Sequence, residues 1–263
     1  MTAASLPIVD DAIRIWKSGV DAVRGDVLIR SQVAWDGRIL SVRSPFVLGQ
    51  SVQGQSVQSH TLDLSKSNRI VIIGAGKATR AMCEGLVELL STGPTTSISG
   101  WINVPEDSQK TPEKFPVHIH IARPRGINEP TEQAEMGANK IMEMVSSCSQ
   151  SDVVICLLSG GGSALLPAPR DGISLEDKLR VTQFLSGAGC TIQELNTVRR
   201  SLSRIKAGGL ARACNAGTLI TLVLSDVLGD PLEFIASGPT ELDHPPDSSA
   251  AMRPFCPLGV FQV

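Results

Sequence analysis

Arg69-Ile-Val-Ile-Ile-Gly-Ala-Gly-Lys-Ala78 is the stretch that decides the fold. Ile70 to Ile73 is a continuous apolar run of strand length, the pattern of a strand buried on both faces. Gly74-Ala75-Gly76 turns the chain. Lys77 to Leu90 then reads as a helix, with Met82, Leu86, Val87 and Leu90 along one side. Strand, glycine turn and helix in this order make the first half of a βαβ unit.

Working outward, the same pattern recurs. Val153 to Leu158 is a second buried strand and ends in Ser159-Gly160-Gly161-Gly162-Ser163. Thr218 to Leu224 is a third and ends in Ser225-Asp226. Ile98 to Val104 and the alternating Val117-His-Ile-His-Ile121 read as further strands. Residues 129–145 read as a helix with Ala134, Ala138, Ile141, Met142 and Val145 as its stripe. Ser174-Leu-Glu-Asp177 and Thr191-Ile-Gln-Glu194 are capping signatures that start two more helices, the second taken to run over 192–206. Residues 8–23 read as a helix behind Pro7. The Ser-, Gln- and Gly-rich 44–68 reads as a loop. Apolar strands alternating with helices predict an α/β fold: a Rossmann-like, mostly parallel sheet with helices on both faces.

Composition supports this and excludes other classes. The 263 residues carry 24 Lys+Arg against 26 Asp+Glu, too balanced for a dedicated nucleic-acid binder. Hydrophobic residues make up 42% and aromatics 3%, so the core must be aliphatic and the chain is not disordered by composition. The 6 cysteines include no C-x-x-C pair, which removes the zinc and thioredoxin signatures. Cys156 sits in an apolar run and reads as a buried, inert thiol. No leader pattern and no run of about 18 apolar residues is evident. The expectation is a soluble cytoplasmic protein.

Ligands of open α/β sheets gather at the carboxyl ends of the strands. Three such ends carry polar, glycine-rich sequence here. At Gly74-x-Gly76 the dinucleotide fingerprint fails, because Thr79 stands where the third glycine belongs. The P-loop pattern fails as well. What remains is a glycine turn at a helix start, an anion site with Lys77 beside it. Gly160, Gly161 and Gly162 allow backbone N–H groups to approach a phosphate or oxyanion closely. Ser159 and Ser163 are candidate nucleophiles without a G-x-S-x-G elbow. Asn196, Arg199 and Lys206 share a polar helix side able to clamp a carboxylate or phosphate. Asp226, with Asp230 nearby, suits a magnesium ligand, and Asp226 also a general base. His118 and His120 point to one side of a strand but lack a third ligand for zinc.

Seven motifs in order then resemble one family: Ile-Gly-Ala-Gly-Lys-Ala (73–78), Leu-Ser-Gly-Gly-Gly-Ser-Ala-Leu-Leu-Pro-Ala-Pro (158–169), Ile-Ser-Leu-Glu-Asp-Lys (173–178), Glu-Leu-Asn-Thr-Val-Arg-Arg (194–200), Ser-Arg-Ile-Lys-Ala-Gly-Gly-Leu-Ala (203–211), Leu-Ser-Asp-Val-Leu-Gly-Asp-Pro (224–231) and Ile-Ala-Ser-Gly-Pro-Thr (235–240). Over about residues 7–247 the chain resembles the N-terminal domain of class II glycerate kinases of the MOFRL-associated type. The resemblance implies ATP-dependent phosphorylation of D-glycerate to 2-phosphoglycerate with Mg²⁺. It implies Lys77 as the catalytic lysine, glycines 160–162 and Ser163 as an anion cradle, and Arg199 and Lys206 as clamps. Asp226 becomes a metal ligand or base. Where the family often has His-Pro, this chain has Arg123-Pro124, so no role carries over to that loop. The expected partners are D-glycerate and ATP, with a homodimer allowed and neither nucleic acid nor membrane.

Two other classes compete: a non-catalytic nucleotide- or anion-binding domain, and an NAD(P)-dependent dehydrogenase. The resemblance also implies a second, C-terminal α/β domain, expected to be missing from this sequence. Residues 7–240 are expected to form the one domain present. Residues 241–263 are expected to be an aberrant or truncated tail, poorly ordered, from a frameshift, altered splicing or a gene-prediction error.

Overall fold

A computed structural model of the chain describes residues 7–44, 58–93, 97–107, 109, 111–225, 232–242 and 258–262. The elements begin with α1 (Pro7–Ala22), α2 (Gly25–Gln32), β1 (Val33–Trp35), β2 (Ile39–Ser44) and β3 (Gln58–Asp63). There follow β4 (Arg69–Ala75), α3 (Thr79–Leu90), β5 (Ser97–Pro105), β6 (Val117–Arg123), α4 (Glu132–Ser146) and β7 (Val153–Ser159). The chain continues through α5 (Gly162–Leu165), α6 (Leu175–Gly187), α7 (Ile192–Ser201), α8 (Gly209–Ala213), β8 (Thr218–Leu224), a 3-10 turn (Ile235–Ser237) and β9 (Leu258–Gln262).

The main sheet has six strands in the order β6-β5-β4-β7-β8-β9. Every neighbouring pair is parallel. Numbered along the chain, these strands run 3-2-1-4-5-6, the doubly wound order whose crevice opens where the winding reverses, between β4 and β7. Both of those strands are apolar and almost wholly buried, because each is covered on two faces. One face packs Val71, Ile73, Val154 and Cys156 under α4, α5 and α8. The other packs Ile70, Ile72, Ile155 and Leu157 under α2, α3 and the small sheet. The fold class read from the sequence is therefore the observed one.

Three readings change. The stretch taken as a loop over 44–68 includes β3, which pairs antiparallel with β2 in a separate three-stranded sheet; residues 45–57 lie outside the described residues. The helix taken to run over 192–206 stops at Ser201. Ser203 there forms a bridge to Pro169, and Ala207 takes a left-handed φ of 50°, so the chain leaves the helix before it reaches Lys206. The third change lies in 256–263, a stretch whose sequence shows no periodicity: Leu258–Gln262 pairs in parallel with β8 as β9. Residues 243–257 lie outside the described residues.

The helix α1 has the expected periodicity, yet Ile15 and Trp16 on it are 74% and 67% exposed. It adds little to the core. This contrast is measurable. Leu157→Ala, at a fully buried position, should cost about 2–5 kcal/mol in urea unfolding. Ile15→Ala should stay within roughly 0.5 kcal/mol.

Candidate active site

The carboxyl ends of β4 and β7 meet at the reversal point, and backbone bonds fasten their loops together. Lys77 N–H donates to the Gly160 carbonyl at 2.9 Å. Ser159 Oγ accepts from Ala78 N–H at 3.0 Å and pairs with Thr79 Oγ1 at 3.2 Å. Ser159 is buried, so its hydroxyl acts as the tie between the loops. Gly74 lies within β4. Gly76 has no room for a side chain, because a Cβ would fall 2.1 Å from Ser159 Oγ. Gly161 has a φ of 79°, the left-handed region that favours glycine. Gly162 opens the short α5 against Ala75 O. Lys77 itself is exposed at the mouth of this turn.

Ser163, one residue on, faces a different set of groups. Buried Lys206 donates from Nζ to the Ser163 carbonyl at 3.1 Å, to Ser237 Oγ at 3.2 Å, and to Ser163 Oγ. Ser163 Oγ and Ser237 Oγ lie 3.1 Å apart. Arg199 reaches the same Ser163 hydroxyl from Nη2 at 3.2 Å, and its Nη1 lies 3.4 Å from Asn196 Oδ1. Asn196, Arg199, Lys206 and Ser163, singled out from the sequence, are thus brought together. Asp226 and Asp230 lie outside the described residues.

The electrostatics of this cluster are unusual. Burial, followed by the charges of Arg199, Lys178 and Arg200, holds the Lys206 ammonium well below the ordinary lysine value. Burial first and Arg199 second pull Lys178 down to about 8, although Glu135 acts the other way. Burial also lowers Arg199. Desolvating several like charges together is unfavourable, and an anion placed among them would offset that cost. The side chains that converge are ammonium, guanidinium, amide and hydroxyl groups. They fit an oxyanion rather than magnesium, and no group of three or more metal-ligating side chains occurs among the described residues.

Residues 11–253 match the family described as "Domain of unknown function (DUF4147)". The chain belongs to the DUF4147 family. A glycerate kinase of Danio rerio is 37% identical over 235 residues, covering 86% of this chain and 43% of that protein. The PH0495 protein from Pyrococcus horikoshii OT3 superposes with a TM-score of 0.72 at 28% identity, over 91% of this chain and 49% of that one. The glycerate kinase of Thermotoga maritima gives 0.65 at 30% identity, over 88% and 47%. This DUF4147 chain is therefore homologous to glycerate kinases and spans less than half the length of these relatives. No helix among its described residues is long and apolar enough to cross a membrane.

Sequence reading missed two groups of this cluster, Lys178 and Ser237. Both lie inside quoted motifs, Ile173–Lys178 and Ile235–Thr240. Ser237 has a second signal only in three dimensions. It and Ala236 are non-glycine residues with positive φ, 66° and 51°. Such strain is held only where the surroundings fix it, and here it aims the hydroxyl at Lys206.

A pH test follows from Lys178. Below about 8 both folded and unfolded chains hold its proton. Between about 8 and the ordinary 10.5 only the unfolded chain does, so in that window this group makes stability rise with pH. The buried thiols Cys83 and Cys156, pushed up by burial, act oppositely above the ordinary thiol value. Urea midpoints at pH 7.5 and pH 9 should therefore be compared between the wild type and Lys178→Met. The wild type should gain stability relative to the variant as pH rises.

Proposed function

We propose that this chain supplies the phosphate- and substrate-binding part of a cytoplasmic glycerate kinase, using ATP and Mg²⁺ to convert D-glycerate to 2-phosphoglycerate. The observation that carries the reading is the arrangement of cations around one loop. Lys77 stands at the Gly161 end, and Arg199 and Lys206 stand at Ser163. A small substrate with a carboxylate at one end and a phosphoryl group arriving at the other matches two such seats. The homology to glycerate kinases supports the same class.

In this reading Arg199, Lys206 and the Ser163 hydroxyl hold the glycerate carboxylate by charge-assisted hydrogen bonds. Asn196 steadies the Arg199 guanidinium. Gly161 lets the backbone come close to the transferring group, and Lys77 offsets the charge that spreads over its oxygens. Magnesium, when bound, would neutralise nucleotide phosphates. Asp226 and Asp230 are the residues proposed to hold it, and Asp226 is also the proposed general base.

The second reading is a nucleotide- or anion-binding domain without turnover. The same cluster favours it, because every group described binds an anion equally well without catalysis. A ³¹P NMR assay with ATP, Mg²⁺ and D-glycerate separates the two. The kinase reading expects 2-phosphoglycerate to appear, and turnover to fall about 100-fold or more in Lys77→Ala. ATP binding with no phosphorylated product would favour the binding domain, and unchanged turnover in Lys77→Ala would remove Lys77 from the mechanism.

A further inference from the structure

Arg123 ends β6, two strands away from β4 and so about 9–10 Å across the sheet. It is only 4% exposed, and its Nε is buried without a hydrogen-bond partner. No ion pair to it occurs among the described residues. Burial alone pushes its guanidinium below the ordinary arginine value. A buried arginine normally has a carboxylate beside it. This one reaches over the end of β5 instead. Its Nη2 lies 3.4 Å from the point where a Cβ on Gly161 would sit, and Lys77 Cε lies 3.2 Å from the same point.

The backbone is shaped to put it there. The β5–β6 register steps from Val104↔Ile121 to Pro105↔Arg123, so Ala122 is the extra residue of a bulge. Ala122 and Arg123 are consecutively buried, which breaks the alternation of the strand. A bulge re-aims the side chain that follows it. The position is then fixed on both sides: Thr131 Oγ1 donates to the Ala122 carbonyl, and Glu106 N–H donates to the Arg123 carbonyl at 2.9 Å. Pro124 further confines the backbone of Arg123 to extended conformations.

We infer that Arg123 is a phosphate-binding residue of this site, sharing with Lys77 an oxyanion seated over Gly161. The inference rests on the reading that a phosphoryl group passes this loop. The planar fork of Arg123 suits two oxygens of a phosphate. Lys77 adds a point charge, and glycine leaves space for the group between them. The ligand class is a phosphate monoester or the terminal phosphate of a nucleotide.

Calorimetric titration of the whole chain with inorganic phosphate, ATP, 2-phosphoglycerate and D-glycerate tests this. Arg123→Gln should weaken the phosphate-bearing ligands at least tenfold and leave D-glycerate within twofold; Arg199→Gln should weaken D-glycerate and 2-phosphoglycerate, which share the carboxylate, and leave inorganic phosphate and ATP within twofold. The phosphate ligand that loses most identifies the source of the group. Thermal unfolding of ligand-free Arg123→Gln should be unchanged or raised, because a buried uncompensated charge is removed. If Arg123→Gln is instead destabilised, Arg123→Lys decides: at least threefold weaker phosphate binding at wild-type Tm supports the inference. Wild-type phosphate affinity in these variants, or no phosphate binding by the wild type, overturns it. Phosphate binding that depends on Arg123 without turnover would sink the kinase reading alone. Turnover with undiminished phosphate affinity in Arg123→Gln would sink this inference alone.

Discussion

β4 and β7 run side by side in parallel with almost nothing between them at their carboxyl ends. A Cβ on Gly74 would lie 2.2 Å from the Leu157 carbonyl oxygen, and one on Gly76 would strike Ser159 Oγ. This close approach brings the Gly76 turn and the 159–163 loop into one crevice. Two short polar links then hold them, Lys77 N–H to Gly160 O and Ser159 Oγ to Ala78 N–H. The site groups take their places from that contact. Lys77 and Arg123 flank one glycine of the loop, and Lys206 and Arg199 hold the serine after it.

The cluster looks expensive if judged as a device for stability. Lys178, Lys206 and Arg123 are buried and Arg199 is partly so, and the nearest partners of Lys206 are hydroxyls and a carbonyl. Elsewhere among the described residues, buried arginine and aspartate are paired in the ordinary way. Arg80, also buried, reaches Glu84 and Asp107 at 3.0 and 2.9 Å, and buried Asp152 has Arg69 at 3.2 Å. The contrast is thus between paired buried charges away from the crevice and cations gathered at it, the arrangement on which the proposed anion site rests. The aliphatic core on both faces of the sheet supplies the stability that this arrangement costs.

Much of the fold was legible along the chain. Strands buried on both faces show as unbroken runs such as Val153–Leu158, and helix starts show as Ser174 or Thr191 capping boxes, both of which form. The parts misread were those without a local signature. Residues 192–206 keep a helical spacing of apolar side chains, but the Ser203–Pro169 bridge and the bond from Arg204 N–H to Ala168 O pull the chain away after Ser201. In β3 the sequence Gln-Ser-His-Thr-Leu-Asp is polar, and it is a strand because β2 offers it partners. Among site residues, those next to glycine turns were visible. Lys178 was not, because a lysine inside a capped helix reads as a solvated charge.

The sequence by itself determined the alternation of strands and helices, the glycine turns at the strand ends, and the membership of Arg199 and Lys206 in a polar set. These are local properties: apolar periodicity, capping chemistry and the absence of Cβ atoms. Only the tertiary structure decided which cations converge. Lys77, Arg123, Lys178, Arg199 and Lys206 come from segments up to 129 positions apart (206 − 77). They meet because the 3-2-1-4-5-6 strand order folds those segments onto one sheet edge, and because a single extra residue at Ala122 turns Arg123 toward it. Neither strand order nor bulge geometry is written in the local pattern, since both are set by long-range pairing.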